Sequence, residues 1–96
     1  MTKRELIARD REAILALAAR YGASQLRLFG SVARGDEEPA SDVDFLVQME
    51  AGRSLLDRAS LVVALEDLLA CRVDVVNERG VKRRFLQGVQ PELLPI

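Results

Sequence analysis

Apolar and polar positions along the chain sort into a short series of helical and extended segments. From Lys3 to Tyr21 the residues Leu6, Ile7, Ile14, Leu15, Leu17, Ala18 and Tyr21 recur at helical spacing, and Gly22 follows as a C-cap, so one helix is predicted over 3–21. Gln25 to Phe29 is short, apolar and closed by Gly30, the pattern of a strand. Ser31 to Arg34 has room for a single helical turn, and 35–40 reads as an acidic loop broken by Pro39. Val43 to Met49 is rich in β-forming residues and gives a second strand. Ser54, with Asp57 three residues on, has the form of a capping box ahead of a helix running to Ala70, whose buried stripe is expected to be Leu55, Leu61, Val62, Leu65, Leu68 and Leu69. Arg72 to Val76 is the third strand. Beyond Gly80, the four-residue spacing of Val81, Phe85 and Val89 predicts a short last helix before the segment Pro91-Glu92-Leu93-Leu94-Pro95-Ile96. No repeat, linker or low-complexity stretch interrupts residues 1–96, which are expected to form one domain.

Between the first two strands lies the densest chemistry. Gly30 and Ser31 are separated by ten residues from Asp42-Val43-Asp44, with Arg34, Gly35 and Ser41 in between. A Gly-Ser turn leaving a strand frees backbone N–H groups and a hydroxyl for phosphate oxygens. Aspartates at i and i+2 on a strand point to one face, within reach of a hard cation such as Mg²⁺. A third acid, Asp74, sits in the third strand. For Gly30-Ser31 to face Asp42 and Asp44, the first two strands must run antiparallel. For Asp74 to share that face, the third must run parallel to the second, joined by the helix in a right-handed crossover. Val43, Phe45 and Val47 then face one way, and Asp42, Asp44 and Leu46 the other. The fold class is α/β, a small mixed three-stranded sheet flanked by helices.

The Gly30-Ser31, ten-residue, Asp42-Val43-Asp44 arrangement, with Asp74 downstream, resembles the minimal nucleotidyltransferase family of the DNA polymerase beta-like superfamily. The resemblance runs over nearly the whole chain. It implies a polymerase beta-like core in which Asp42, Asp44 and Asp74 bind two Mg²⁺ ions, and in which ATP is the substrate. It further implies attack on the α-phosphate, loss of pyrophosphate and transfer of a nucleoside monophosphate to a hydroxyl. Gly30 and Ser31 would hold phosphate; their plainer roles are a strand-ending glycine and a helix N-cap. Arg34 would contact phosphate or pair with the acids at 36–38. Ser41 joins this set or simply fixes the loop before Asp42. Many members of that family are encoded with a HEPN-domain toxin and act as its antitoxin, some by adenylylating a tyrosine of the partner.

Composition narrows the alternatives. With 14 Lys and Arg against 15 Asp and Glu, the formal charge is −1 and offers no broad attraction to a nucleic acid backbone. No histidine is present, so a Ser-His-Asp triad, a histidine base and a His-based zinc site are excluded. The single cysteine, Cys71, reads as a small buried residue. No apolar run suits a bilayer and no leader pattern opens the chain, so a cytoplasmic location is expected. One domain of 96 residues has little surface for an acceptor beside a triphosphate. The apolar Leu93, Leu94 and Ile96 therefore either fold onto the core or dock on a partner, with docking the expectation; the basic cluster Lys82, Arg83 and Arg84 reads as a solvated helix face, with contact to phosphates, RNA or an acidic partner the lesser reading. Two other functions remain open from sequence: an antitoxin that only occludes its partner, and the catalytic subunit of an aminoglycoside-type nucleotidyltransferase.

Overall fold

The computed structural model describes residues 1–96. Two helices, α1 (Lys3–Arg9) and α2 (Arg11–Arg20), replace the single helix expected at the start. The apolar stripe explains the break. Between Ile7 and Ile14, the positions that should continue it are Asp10 and Arg11, and Asp10 leaves helical geometry while its carboxylate takes the Arg9 guanidinium at 3.1 Å. Thr2 caps α1 through a reciprocal box with Glu5.

Strand β1 (Ala23–Phe29) begins two residues before the expected start. Gln25 has φ 54° and the register with the next strand shifts between Ser24 and Arg27, so a bulge hides the beginning of the strand from its side-chain alternation. The short α3 (Gly30–Arg34) follows, closed by Gly35 at φ 78°; Asp36 N–H returns to Ser31 O and Gly35 N–H to Val32 O. The Arg4 guanidinium donates to the carbonyls of Val32 and Ala33, and Lys3 Nζ to those of Glu38 and Pro39, fastening α1 to the acidic loop.

β2 (Val43–Met49) pairs antiparallel with β1, and β3 (Val73–Asn77) pairs parallel with β2, as the placement of the acids required. The crossover is α4 (Leu55–Leu69), capped by Ser54 and Asp57 in the expected box. Its buried stripe is Leu61, Leu65 and Leu69, with Val62 and Leu68 partly buried. Leu55, in the first turn of α4, is 74% exposed instead of buried. Glu66 accepts from the Val73 N–H at 3.1 Å, and Arg58 donates to Val75 O at 3.2 Å, so α4 side chains satisfy outward-facing groups of β3.

After a 3₁₀ turn at Glu78–Gly80, α5 (Arg83–Val89) buries Val89 and sets Phe85 edge-on to Phe29, with centroids 5.7 Å apart. Val81 precedes this helix in extended geometry. A second 3₁₀ turn, Gln90–Glu92, leads into β4 (Leu94–Pro95), which pairs antiparallel with β1. The sheet therefore has four strands, ordered β3-β2-β1-β4, instead of three.

The final segment folds onto its own domain. Ile96 N–H reaches Leu26 O and its side chain packs against the main core, whose centre is Ile14, Val32, Val43, Phe45, Val47, Leu61 and Leu65. Cys71 packs at the edge of that core, and burial raises its thiol pKa. No helix is long and apolar enough to cross a membrane. Replacing Ile96 by Ser is expected to lower unfolding free energy by about 1–2 kcal/mol in urea titration. An unchanged midpoint would mean the segment contributes nothing to the core.

Candidate active site

Burial of one face of the central strand sets the site on the other. Val43, Phe45 and Val47 are fully buried, as are Val73 and Val75 on the neighbouring strand or nearly so. Side chains alternate, so Asp44 and Asp74 emerge on the opposite face, and the parallel register makes them direct partners. Asp42 stands two residues ahead of Asp44, just outside β2. Asp42 and Asp74 are exposed, while Asp44 is half-buried. Phe29, the last residue of β1, pairs with Asp44, which brings the Gly30-Ser31 turn beside the acids.

Gly30 is needed there on two grounds. Its φ is +75°, in the left-handed region, and a Cβ on it would collide with Asp44 Oδ2. The glycine thus lets backbone approach a carboxylate more closely than any other residue would allow. Its N–H points to Glu92 Oε2 at 3.0 Å. The same oxygen accepts from Arg34 Nη1 at 2.7 Å, and Arg34 Nε also reaches Asp36 at 3.1 Å. Asp36 first and Glu92 second raise the Arg34 pKa. Ser31 is half-buried in α3. Ser41 serves the loop: its hydroxyl accepts from Glu38 N–H at 2.9 Å and its own N–H returns to Glu38 O.

Electrostatics single out Asp44. Burial, then the charges of Asp74, Asp42 and Glu92, push its pKa up to about 6, with only Arg34 opposing. Asp42 has a loose partner in Arg72 at 3.8 Å, both well exposed. As they stand, the acids are not drawn together tightly enough to enclose an ion. The donor set nevertheless suits a hard divalent cation: carboxylate oxygens only, on one face, under like-charge repulsion that a cation would relieve. Asp42, Asp44 and Asp74 are the residues that would hold it.

Glu92 was the member of this site that sequence reasoning missed. It lies in a segment whose pattern is dominated by Leu93, Leu94 and Ile96, and its partners are 58 and 62 residues away. An acid placed within an apolar run was the only available signal.

Two outcomes follow. Asp44 holds its proton to about pH 6 in the folded chain but releases it near 3.8 when unfolded. Stability should therefore fall as pH rises through that interval and stay reduced above it. Asp44→Asn removes the effect. In the absence of metal it should be more stable than the parent at neutral pH by about 1 kcal/mol, since the full shift of roughly 3 kcal/mol is cut by solvent screening. The gain should vanish at about pH 4 in thermal melts. Gly30→Ala should cost about 1–3 kcal/mol from backbone strain and the clash with Asp44, read in the same melts.

Comparison with known proteins identifies the family of the chain. Residues 10–93 match the nucleotidyltransferase domain family. The chain is similar to the protein adenylyltransferase MntA of Thermococcus cleftensis, 38% identical over 78 residues that span 81% of this chain and 79% of that protein. A structure assigned as a minimal nucleotidyltransferase superposes with TM-score 0.86 and 52% identity, covering 100% of this chain and 97% of that one. The crystal structure of a toxin-antitoxin with AMP-PNP superposes with TM-score 0.77 at 24% identity, covering 90% and 71%, a likeness of fold.

Proposed function

The chain belongs to the nucleotidyltransferase domain family, and from that premise we propose that it is a Mg²⁺-dependent protein adenylyltransferase. In this reading it moves AMP from ATP onto a tyrosine hydroxyl of a HEPN-domain toxin, and acts as the antitoxin of that pair. The observation that carries the reading is the pairing of Asp44 with Asp74 across parallel strands, with Asp42 on the same face and the Gly30 turn against Asp44. The name of the Thermococcus relative supports transfer to protein, and the AMP-PNP complex supports an adenine nucleotide and a toxin partner.

Each residue then has a task. The Gly30 amide and Ser31 hydroxyl hold phosphate oxygens, and Arg34 offsets their charge. Asp42, Asp44 and Asp74 would hold Mg²⁺, which would supply positive charge to offset that of the triphosphate. Asp74, exposed on its strand, is open to the acceptor side and takes the hydroxyl proton. The acceptor oxygen bonds to the α-phosphorus as the bond from that phosphorus to the bridging oxygen breaks, and pyrophosphate leaves. Because Asp42 and Asp74 are exposed, the acceptor has direct access to this face; a partner protein supplies the remaining wall.

Incubation with ATP labelled at the α-phosphate, Mg²⁺ and the product of the adjoining gene should place label on that protein. EDTA should abolish it. Asp42→Asn and Asp74→Asn should each reduce it at least about 100-fold while leaving the fold intact. Full protection against the toxin by either inactive variant would favour plain occlusion of the partner instead. Labelling that survives in both variants would displace the assigned site.

A further inference from the structure

Two of the groups assigned to phosphate are already engaged by a single oxygen atom. Glu92 Oε2 accepts from the Gly30 amide at 3.0 Å and from Arg34 Nη1 at 2.7 Å. A carboxylate oxygen and a phosphate oxygen ask for the same donors, charge-assisted N–H groups from backbone and guanidinium. We propose that Glu92 belongs to the nucleotide site as an internal anion, which fills the phosphate cradle and must swing out for a triphosphate to enter, so that it sets nucleotide affinity. This rests on the nucleotidyltransferase reading above.

A simple structural pin for the last segment would look different. That segment is already held by the pairing of Arg27 with Pro95 and Leu28 with Leu94, by the Ile96 N–H to Leu26 O bond, and by Ile96 on the core. A pin to Arg34 needs only the guanidinium, which lies half in solvent; Glu92 instead reaches past it to a backbone amide. It does so beside Asp44, whose like charge it opposes. Its side chain is only 19% exposed, against 49% for Arg34, so the anion is the enclosed member of the pair. Departure needs only rotation about the side-chain torsions of Glu92, while β4 stays paired. An incoming triphosphate repays the two lost hydrogen bonds with its own oxygens.

Glu92→Gln keeps the side-chain size and removes the charge. Calorimetry with Mg²⁺ and AMP-PNP, and separately with Mg²⁺ and inorganic tripolyphosphate, should give a dissociation constant roughly three- to tenfold lower for the variant than for the parent. In the parent protein, whatever the fate of the variant, nuclear magnetic resonance should show the Gly30 amide and the Glu92 carboxyl carbon shifting together on addition of either ligand. A pin would leave the Glu92 resonance in place and the affinity unchanged. Equal or weaker binding by Glu92→Gln, or an unmoved Glu92 signal in ligand-bound parent, overturns the proposal while leaving the nucleotide reading intact. Binding of neither ligand by either protein overturns that reading, and the role of Glu92 with it.

Discussion

Repulsion among carboxylates that the sheet holds in register is the constraint on which this structure turns. Asp44 and Asp74 face each other because Val43, Phe45 and Val47 on one strand, and Val73 and Val75 on the next, are driven to the opposite face by burial. A slip of one residue would carry Asp44 into the core and take Phe45 out of it, so the register that stabilises the fold is the same one that crowds the charges. Stability is gained on the helix-covered face and partly surrendered on the other.

The surroundings of Asp44 moderate that strain without abolishing it. Arg34 is the one cation whose field opposes the raised pKa, and it is shared with Asp36 and Glu92. Gly30, with no Cβ, lets the chain turn against the carboxylate and present its amide in the same small region. Acids, a guanidinium and a bare backbone N–H are thus assembled from α3, β2 and the loop before it, β3 and the turn before β4. A site gathered from separate elements in this way is positioned by the whole core, which is why so short a chain can form one.

Much of this was legible because the informative patterns are local. The Ser54 and Asp57 box, the β-rich run at 43–49 and the spacing from Gly30-Ser31 to Asp42 and Asp44 each lie within a few residues, and placing the three acids on one face required the strand directions that the structure has. What escaped depends on distant pairing or on exceptions to periodicity. The helix break at Asp10 lay in a gap in the stripe. The bulge at Gln25 masked two residues of β1. Leu93, Leu94 and Ile96 carry no alternation that distinguishes a strand on β1 from a docking patch, and Leu55 has the right residue type but lies exposed in the first turn of α4. The sequence allows Ser41 two roles, and its hydrogen bonds to Glu38 are those that fix the loop.

The capping of β3 by α4 bears on how any second protein can meet this one. An open strand edge invites a partner to add a strand of its own through main-chain hydrogen bonds. Here Glu66 already takes the Val73 N–H and Arg58 the Val75 carbonyl, while the opposite margin is the two-residue β4, in which Pro95 has no N–H to donate. Each margin of the sheet is thus partly filled by the chain itself, at Val73 and Val75 on one side and at Arg27 and Leu28 on the other. Every main-chain group so engaged is one fewer open to the indiscriminate strand-to-strand joining that leads to aggregation, so the α4 side chains that brace β3 also blunt its edge.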